Sequence, residues 1–344
     1  MMNTHLRQPI YQQFLHQQGF AGTVMEPLPG DASVRRYFRL PDADKPCLLM
    51  DMPPEALDIR PYLRVAEHLR CLGLRVPIVY AVDQECGLAL IEDFGDRTFT
   101  RLLAEGHSER LLYELAIDQL IHLHQQRTAT TLVAPRYDIS LFLREAARLP
   151  DWLYPCLTGT PITSALRAEY LDIWRSILHA MPEPENSLVL VDFHVDNLIR
   201  LPDGSCGMLD FQDARIGPMA YDVVSLLEDA RRDVDADIAF DIKTRYLNSR
   251  PARERAAFEQ WYAVLGAQRH CKVSGLFLRL CITAGKCQYL VHLPRVMRLL
   301  EQHLQTQARL KPLHDWLEYY LPMRLQPLPT LNREELRTLL KGVD

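Results

Sequence analysis

The sequence predicts an α+β protein of two unequal lobes: a small antiparallel β-rich N-terminal lobe (1–94) and a larger, mostly helical C-terminal lobe (95–344). Three observations carry this expectation. From Gly22 to Met52, apolar runs of strand length are punctuated by turn residues. Beyond Gly95, apolar residues recur at helical spacing. One island, 187–214, breaks the helical region with two short β-like runs around a Pro-Asp-Gly turn.

Taken in order, the first 19 residues read as a short amphipathic helix with Ile10, Phe14 and Leu15 on one face, ended by Gly19 and Gly22. TVMEPLP, VRRYFRL and CLLMDM follow as a strand meander. DIRPYLRVAEHLRCLG is helical, with Tyr62, Val65, Ala66, Leu69 and Leu72 on one stripe and Gly73 as its stop. PIVYAVD and LALIEDF are two more strands joined by QECG. Helices are expected at about 107–126, 138–147, 163–181, 219–230, 234–249, 252–284 and 288–320, with a short one in the tail. Trp152, Trp174, Trp261 and Trp316 occupy helical positions and read as core.

Composition excludes several classes. With 39 Lys+Arg against 44 Asp+Glu, the net charge of -5 speaks against charge-driven nucleic-acid binding. No apolar run reaches the roughly 18 residues of a membrane span, and the first twenty residues lack the apolar stretch of a secretion signal. The eight cysteines are scattered without a CxxC pair, which reads as reduced thiols in a cytoplasmic protein. His122 and His124, and the charge run 228–237, read as solvated surface.

The chemistry sits in the island. Asp192 and Asn197 form D-x4-N, and Asp210 follows after the hairpin turn. Flanking apolar runs (188–191, 198–199, 207–209) place these polar groups on short buried strands, where they are costly without a purpose. Phosphoryl transfer from ATP needs such a set: a carboxylate to orient the acceptor hydroxyl and take its proton, and hard oxygen ligands for Mg²⁺. Asp192 is the expected base, and Asn197 and Asp210 are the expected metal ligands. A cleft between two unequal lobes is where a nucleotide is expected.

VDFHVDN, LDFQDA, IGPMAYDVVSLL and LRCLGLRVPIVYAVDQECGLALIEDFG together resemble the aminoglycoside phosphotransferase/choline kinase family, over about residues 22–320. The resemblance implies a protein-kinase-like two-lobe fold using ATP and Mg²⁺, with Glu92, Asp93 and Phe94 as the hinge whose backbone meets the adenine. It also implies that the GDAS loop covers the phosphates, with Gly30, Asp31, Ala32 and Ser33 as candidate contacts. GDASVRRYFRL, IEDFGDRTF, DFHVDNLI and QRHCKVSGLFLRL narrow it to bacterial amino-sugar kinases. They imply phosphorylation of the anomeric hydroxyl of N-acetylmuramate and N-acetylglucosamine in peptidoglycan sugar recycling. The product would pass to a sugar-1-phosphate uridylyltransferase. His194, Asp196, Asp213 and Arg269 are the substrate candidates, the last for a lactyl carboxylate. Arg269, with Gln268 and Lys272, reads equally as surface salt bridges. For His194 the simpler role is bracing the loop backbone.

Two departures qualify the pattern. Leu190 stands where the family usually has His. The third strand carries no lysine to hold the phosphates, which leaves the helix residue Glu67 without its usual partner. Arg35 and Arg36 are the nearest replacement cations; by strand alternation one faces the nucleotide and the other solvent. A kinase for an aminoglycoside, choline, homoserine or thiosugar, and a non-catalytic pseudokinase, are the competing readings.

Overall fold

The computed structural model describes residues 4–29, 34–43, 45–329 and 332–340. Helix α1 (Thr4–Gln17) buries Tyr11, Phe14 and Leu15, with Ile10 only partly covered. Five short strands follow: β1 (Glu26–Pro27), β2 (Arg36–Arg39), β3 (Cys47–Asp51), β4 (Val79–Asp83) and β5 (Leu88–Glu92), with α2 (Arg60–Cys71) between β3 and β4. They form one antiparallel sheet in the order β1-β2-β3-β5-β4. The register sets Phe38 opposite Leu49 and Leu49 opposite Leu90. Because strand side chains alternate, these residues line one face, and α1 packs on it. Asp51 ends the same row fully buried, held by Arg7 (2.7 Å), Arg36 (2.8 Å) and the Tyr11 hydroxyl. Burial and the bond to Asp51 push the Tyr11 phenol up to about 12.

On α2 the expected stripe is buried, and Gly73 follows the helix at φ +81, donating its N–H to the Arg70 carbonyl. Glu67 is exposed. α3 (Phe99–Ala104) and α4 (Glu109–Gln125) start at Thr98 and Ser108, whose hydroxyls cap Arg101 and Leu111. His122 is exposed as expected, whereas His124 is buried, because it falls on the inner face with Leu120 and Leu123.

α5 (Ile139–Ala146) runs through a π turn at Leu149–Leu153 into α6 (Tyr154–Thr158), and α7 (Ser164–His179) follows. Four short strands then fall in and beside the island, where two runs were expected within it: β6 (Asn186–Val189), β7 (Leu198–Arg200), β8 (Cys206–Met208) and, just past it, β9 (Arg215–Pro218). β7 and β8 form the hairpin over the Pro-Asp-Gly turn, and β6 pairs with the distant β9. The remaining helices are α8 (Ala220–Leu227), α9 (Ala236–Asn248), α10 (Ala252–Ala284), α11 (Leu293–Thr306), α12 (Lys311–Tyr320) and α13 (Arg333–Leu339). The single helix expected over 288–320 is divided by short 3-10 turns at Cys287–His292 and Ala308–Leu310. Pro294 and Pro312 sit in the first turns of the helices that restart. Among the described residues no helix is long and apolar enough to cross a membrane.

The chain divides into two compact units, and neither is continuous in sequence: 1–133 with 190–214, and 134–189 with 215–344. In the second unit Trp152, Trp174, Trp261 and Trp316 are all buried, as expected. Several charged groups expected at its surface are buried instead. Glu228 and Asp229 turn inward at the end of α8. Gln268, Arg269 and Lys272 lie inside, since the middle of α10 is surrounded by other helices. Arg269 donates to Ser225 Oγ at 2.9 Å; Lys272 meets Glu145 at 2.7 Å and the Tyr221 hydroxyl at 3.0 Å. Arg269 therefore presents no guanidinium to open solvent. The expectation of uniformly reduced thiols also fails at one pair: Cys281, in the last turn of α10, is bonded to Cys287 just past the Gly285 stop.

Candidate active site

The loop between β6 and β7 belongs to the first unit, with the sheet. It opens on Val191, a β-branched residue held at φ +73, while the Asp192 N–H bonds the Leu190 carbonyl at 2.9 Å. Such a three-residue turn is strained, and strain of this kind persists only where the surroundings enforce it. Asp192 is half-buried and is braced from behind: Asn197 Nδ2 donates to its carbonyl at 2.9 Å. With Nδ2 so engaged, the hard oxygen Oδ1 is the end of the Asn197 amide that faces other partners.

The hairpin brings Asp210 to Asn197. Leu198 pairs with Met208, and the Leu209 N–H bonds the Asn197 carbonyl at 2.9 Å. Asp210 follows at φ +56, the second strained non-glycine position at this loop, with its side chain 43 % exposed. Gln212 donates to Asp210 Oδ1 at 3.1 Å and to Asp213 at 3.0 Å. Phe211 anchors the turn by stacking on Tyr62 of α2, centroids 5.0 Å apart.

Arg35, just ahead of β2, reaches the same carboxylate. Its Nη1 lies 3.1 Å from Asp210 Oδ1 and also donates to the Tyr37 hydroxyl at 3.1 Å. Burial works against the Arg35 charge, but Tyr37 and Asp210 more than offset it, so its pKa is raised and the guanidinium stays cationic. Arg36 takes the opposite face, as alternation requires, where it stays partly exposed while Asp51 holds it at 2.8 Å. The pair thus divides between two carboxylates, because Asp51 brings to β3 a buried negative charge that the sequence reading left without a partner.

The hinge expected at 92–94 is held by side chains on both sides. Arg75 forks onto Glu92, with Nη1 2.7 Å from Oε2, and lies over the Phe94 ring at 4.9 Å. Arg39 binds both Asp93 and Asp96. The N–H groups of Glu92, Asp93 and Gly95 are taken by Ile78, Pro46 and the Asp93 carboxylate. Phe94 packs on Ile199 and Leu201, above Gly207, where a Cβ would lie 2.7 Å from its ring.

The other expected residues fall in place unevenly. His194 is buried, with Nδ1 3.9 Å from Asp196, and the Asp196 carboxylate accepts a bond from Thr100. Asp213 is exposed. Gly30, Asp31, Ala32 and Ser33 lie outside the described residues. Sequence reasoning missed Tyr37, Gln212 and Arg39. Their partners lie far along the chain or in a neighbouring turn, and only the alternation of Arg35, Tyr37 and Arg39 hinted that they share a face.

Comparison with known proteins agrees with this geometry. A profile described as the phosphotransferase enzyme family matches residues 24–261. The N-acetylmuramate/N-acetylglucosamine kinase of Caulobacter vibrioides is 33% identical over 351 residues, covering 90% of this chain and 95% of that protein. The kinase of the same name from Pseudomonas aeruginosa is 33% identical, covering 85% and 87%. Among solved structures, a choline/ethanolamine kinase family protein from Mesorhizobium loti superposes with TM-score 0.61 at 14% identity, covering 90% of this chain and 98% of that one. LicA in complex with AMP gives 0.60 at 12% identity, covering 86% and 98%. The family match over residues 24–261 and the curated relatives at 33% identity, with which the Val191 turn and the Asn197/Asp210 hairpin agree, make this chain a member of the phosphotransferase enzyme family, a phosphotransferase that acts on a hydroxyl.

Proposed function

We propose that the protein is an ATP- and Mg²⁺-dependent kinase that phosphorylates the anomeric hydroxyl of N-acetylmuramate and N-acetylglucosamine. The hairpin that seats Asn197 beside Asp210, next to the braced Asp192, is the observation that carries the reading. The names of the relatives supply the amino sugar. A role in peptidoglycan sugar recycling, in the cytoplasm and ahead of a sugar-1-phosphate uridylyltransferase, belongs to the same proposal.

In this reading Asp192 orients the acceptor hydroxyl and takes its proton as the oxygen attacks the γ-phosphorus. The Val191 turn and the Asn197 bond fix the Asp192 backbone, so the carboxylate needs little reorganisation. Asn197 Oδ1 and the half-exposed Asp210 carboxylate are hard oxygen donors and fit Mg²⁺. When bound, Mg²⁺ supplies charge neutralisation at the phosphates. Arg35, poised on Asp210 and still cationic, serves as the protein cation that the lysine-free third strand lacks. Among residues 92–95, only Phe94 has an N–H without a recorded partner among the described residues, so it is the proposed adenine donor.

Asp210→Ala tests the metal assignment. Mg-ATP affinity by calorimetry is expected to fall much further than affinity for metal-free ATP, with activity abolished. Equal loss for both forms of the nucleotide would contradict it.

A further inference from the structure

Away from the Asp192 loop, in the second unit, three side chains from three helices converge. Glu228 caps the end of α8, His270 projects from α10 and His303 from α11. Both imidazole Nε2 atoms lie 2.7 Å from the same carboxylate oxygen, Glu228 Oε2. One ligand atom from each residue falls within 4.8 Å of the others. We propose that Glu228, His270 and His303 form a binding site for a divalent transition-metal ion of the zinc type, which ties the end of α8 to α10 and α11.

The donor set selects the ion. Two imidazoles and one carboxylate are borderline ligands that suit Zn²⁺, whereas Mg²⁺ prefers oxygen alone. The Glu228 carboxylate holds the His270 ring proton on Nε2, and Nδ1 has no partner among the described residues. Coordination moves that proton to Nδ1, where it lacks an acceptor, a cost smaller than the metal–ligand bonds gained.

Two further features belong to a built site. Gly266, one turn before His270 on α10, makes room for the His303 ring: a Cβ there would lie 2.2 Å from His303 Nε2. Glu228 and His303 also line a cavity of about 460 Å³ with Tyr262, Lys243 and Glu259. That opening gives an ion access and leaves a fourth position open to solvent. Lys243 does not oppose the ion strongly, since Glu259 neutralises it at 2.8 Å. The other Glu/His cluster offers a contrast. At Glu301, His314 and Glu318, the Arg324 guanidinium already bridges both carboxylates and supplies the positive charge. No Lys or Arg is recorded in contact with Glu228 among the described residues.

Calorimetric titration of the full chain with zinc chloride, in the presence of saturating Mg²⁺, tests the proposal. One equivalent is expected to bind, with a rise in Tm. Glu228→Gln and His303→Gln should each weaken binding at least a hundredfold and remove the Tm rise. Gly266→Ala should do the same by displacing the His303 ring. His314→Ala should leave the zinc affinity unchanged. Folding of each variant is checked by its Tm without zinc; if one fails to fold, the remaining variants decide. An absence of zinc binding by the wild type, or binding that none of the folded Glu228, His303 and Gly266 variants weakens, overturns the proposal.

Discussion

Arg35 and Arg36 show how one sequence position separates two functions. Both are cationic neighbours at the start of β2, yet alternation sends them to opposite faces and to different carboxylates, Asp210 and Asp51. Removing Arg35 takes charge from the proposed phosphate site. Arg35→Ala is expected to raise KM for ATP and lower kcat/KM by roughly ten- to a hundredfold, about 1.4–2.7 kcal/mol, with little change in Tm. Removing Arg36 leaves the fully buried Asp51 with Arg7 and Tyr11 alone. Arg36→Ala is expected to cost stability, on the order of 3 kcal/mol, with KM for ATP near wild type. Steady-state kinetics and denaturant unfolding on both variants separate the two effects. Matching profiles for the two variants would contradict the division.

At the scale of elements, the proposed hinge at 92–94 depends on how closely the β7–β8 hairpin approaches it. Gly207 lies under Phe94 with no room for a methyl, so Gly207→Ala must push the ring aside. Overpacking of this kind costs about 1–3 kcal/mol. The displaced Phe94 should also raise KM for ATP while leaving KM for the sugar unchanged; a shift in the sugar KM alone would place the hinge elsewhere. Most elements were legible in the sequence because their signals are local. Cys47, Leu49 and Asp51 alternate, Gly73 stops α2, and Pro-Asp-Gly turns the hairpin. What escaped depends on distant partners. The β6–β9 pair joins Val189 to Arg215 across the whole loop, and short runs such as 186–189 carry no mark of their mate. The breaks in 288–320 had a local signal in Pro294 and Pro312, which open helices rather than continue them. Charge misled in the other direction. Glu228, Asp229 and Arg269 look solvated in sequence because their buried partners arrive from other helices.

At the scale of the molecule, the Glu228–His270–His303 cluster, with His270 buried and the other two partly so, makes the fold sensitive to acid. His270 has a folded pKa below its unfolded value, because burial disfavours the imidazolium. The unfolded chain therefore binds more protons, and this contribution is full above about pH 6.5 and declines as pH falls below it. Glu228 has a depressed folded pKa, so its contribution is full above about pH 4.3 and is lost below that. In the zinc-free protein, Tm should fall in two stages between pH 7 and pH 3. In His270→Gln the upper stage should disappear, and in Glu228→Gln the lower one. A wild-type Tm that is flat between pH 7 and pH 5 would contradict the assignment to His270.

The central claim is that Asp192, seated by the Val191 turn and Asn197, drives phosphoryl transfer to an anomeric hydroxyl. Phosphorus NMR of the products formed from Mg-ATP with N-acetylmuramate or N-acetylglucosamine tests it most directly. The account predicts a sugar phosphate whose phosphorus couples to the anomeric proton. It also predicts that Asp192→Asn forms the product at least about a hundredfold more slowly while binding ATP normally. A phosphate coupled to the C6 protons, no sugar phosphate at all, or near-normal turnover by Asp192→Asn would contradict it.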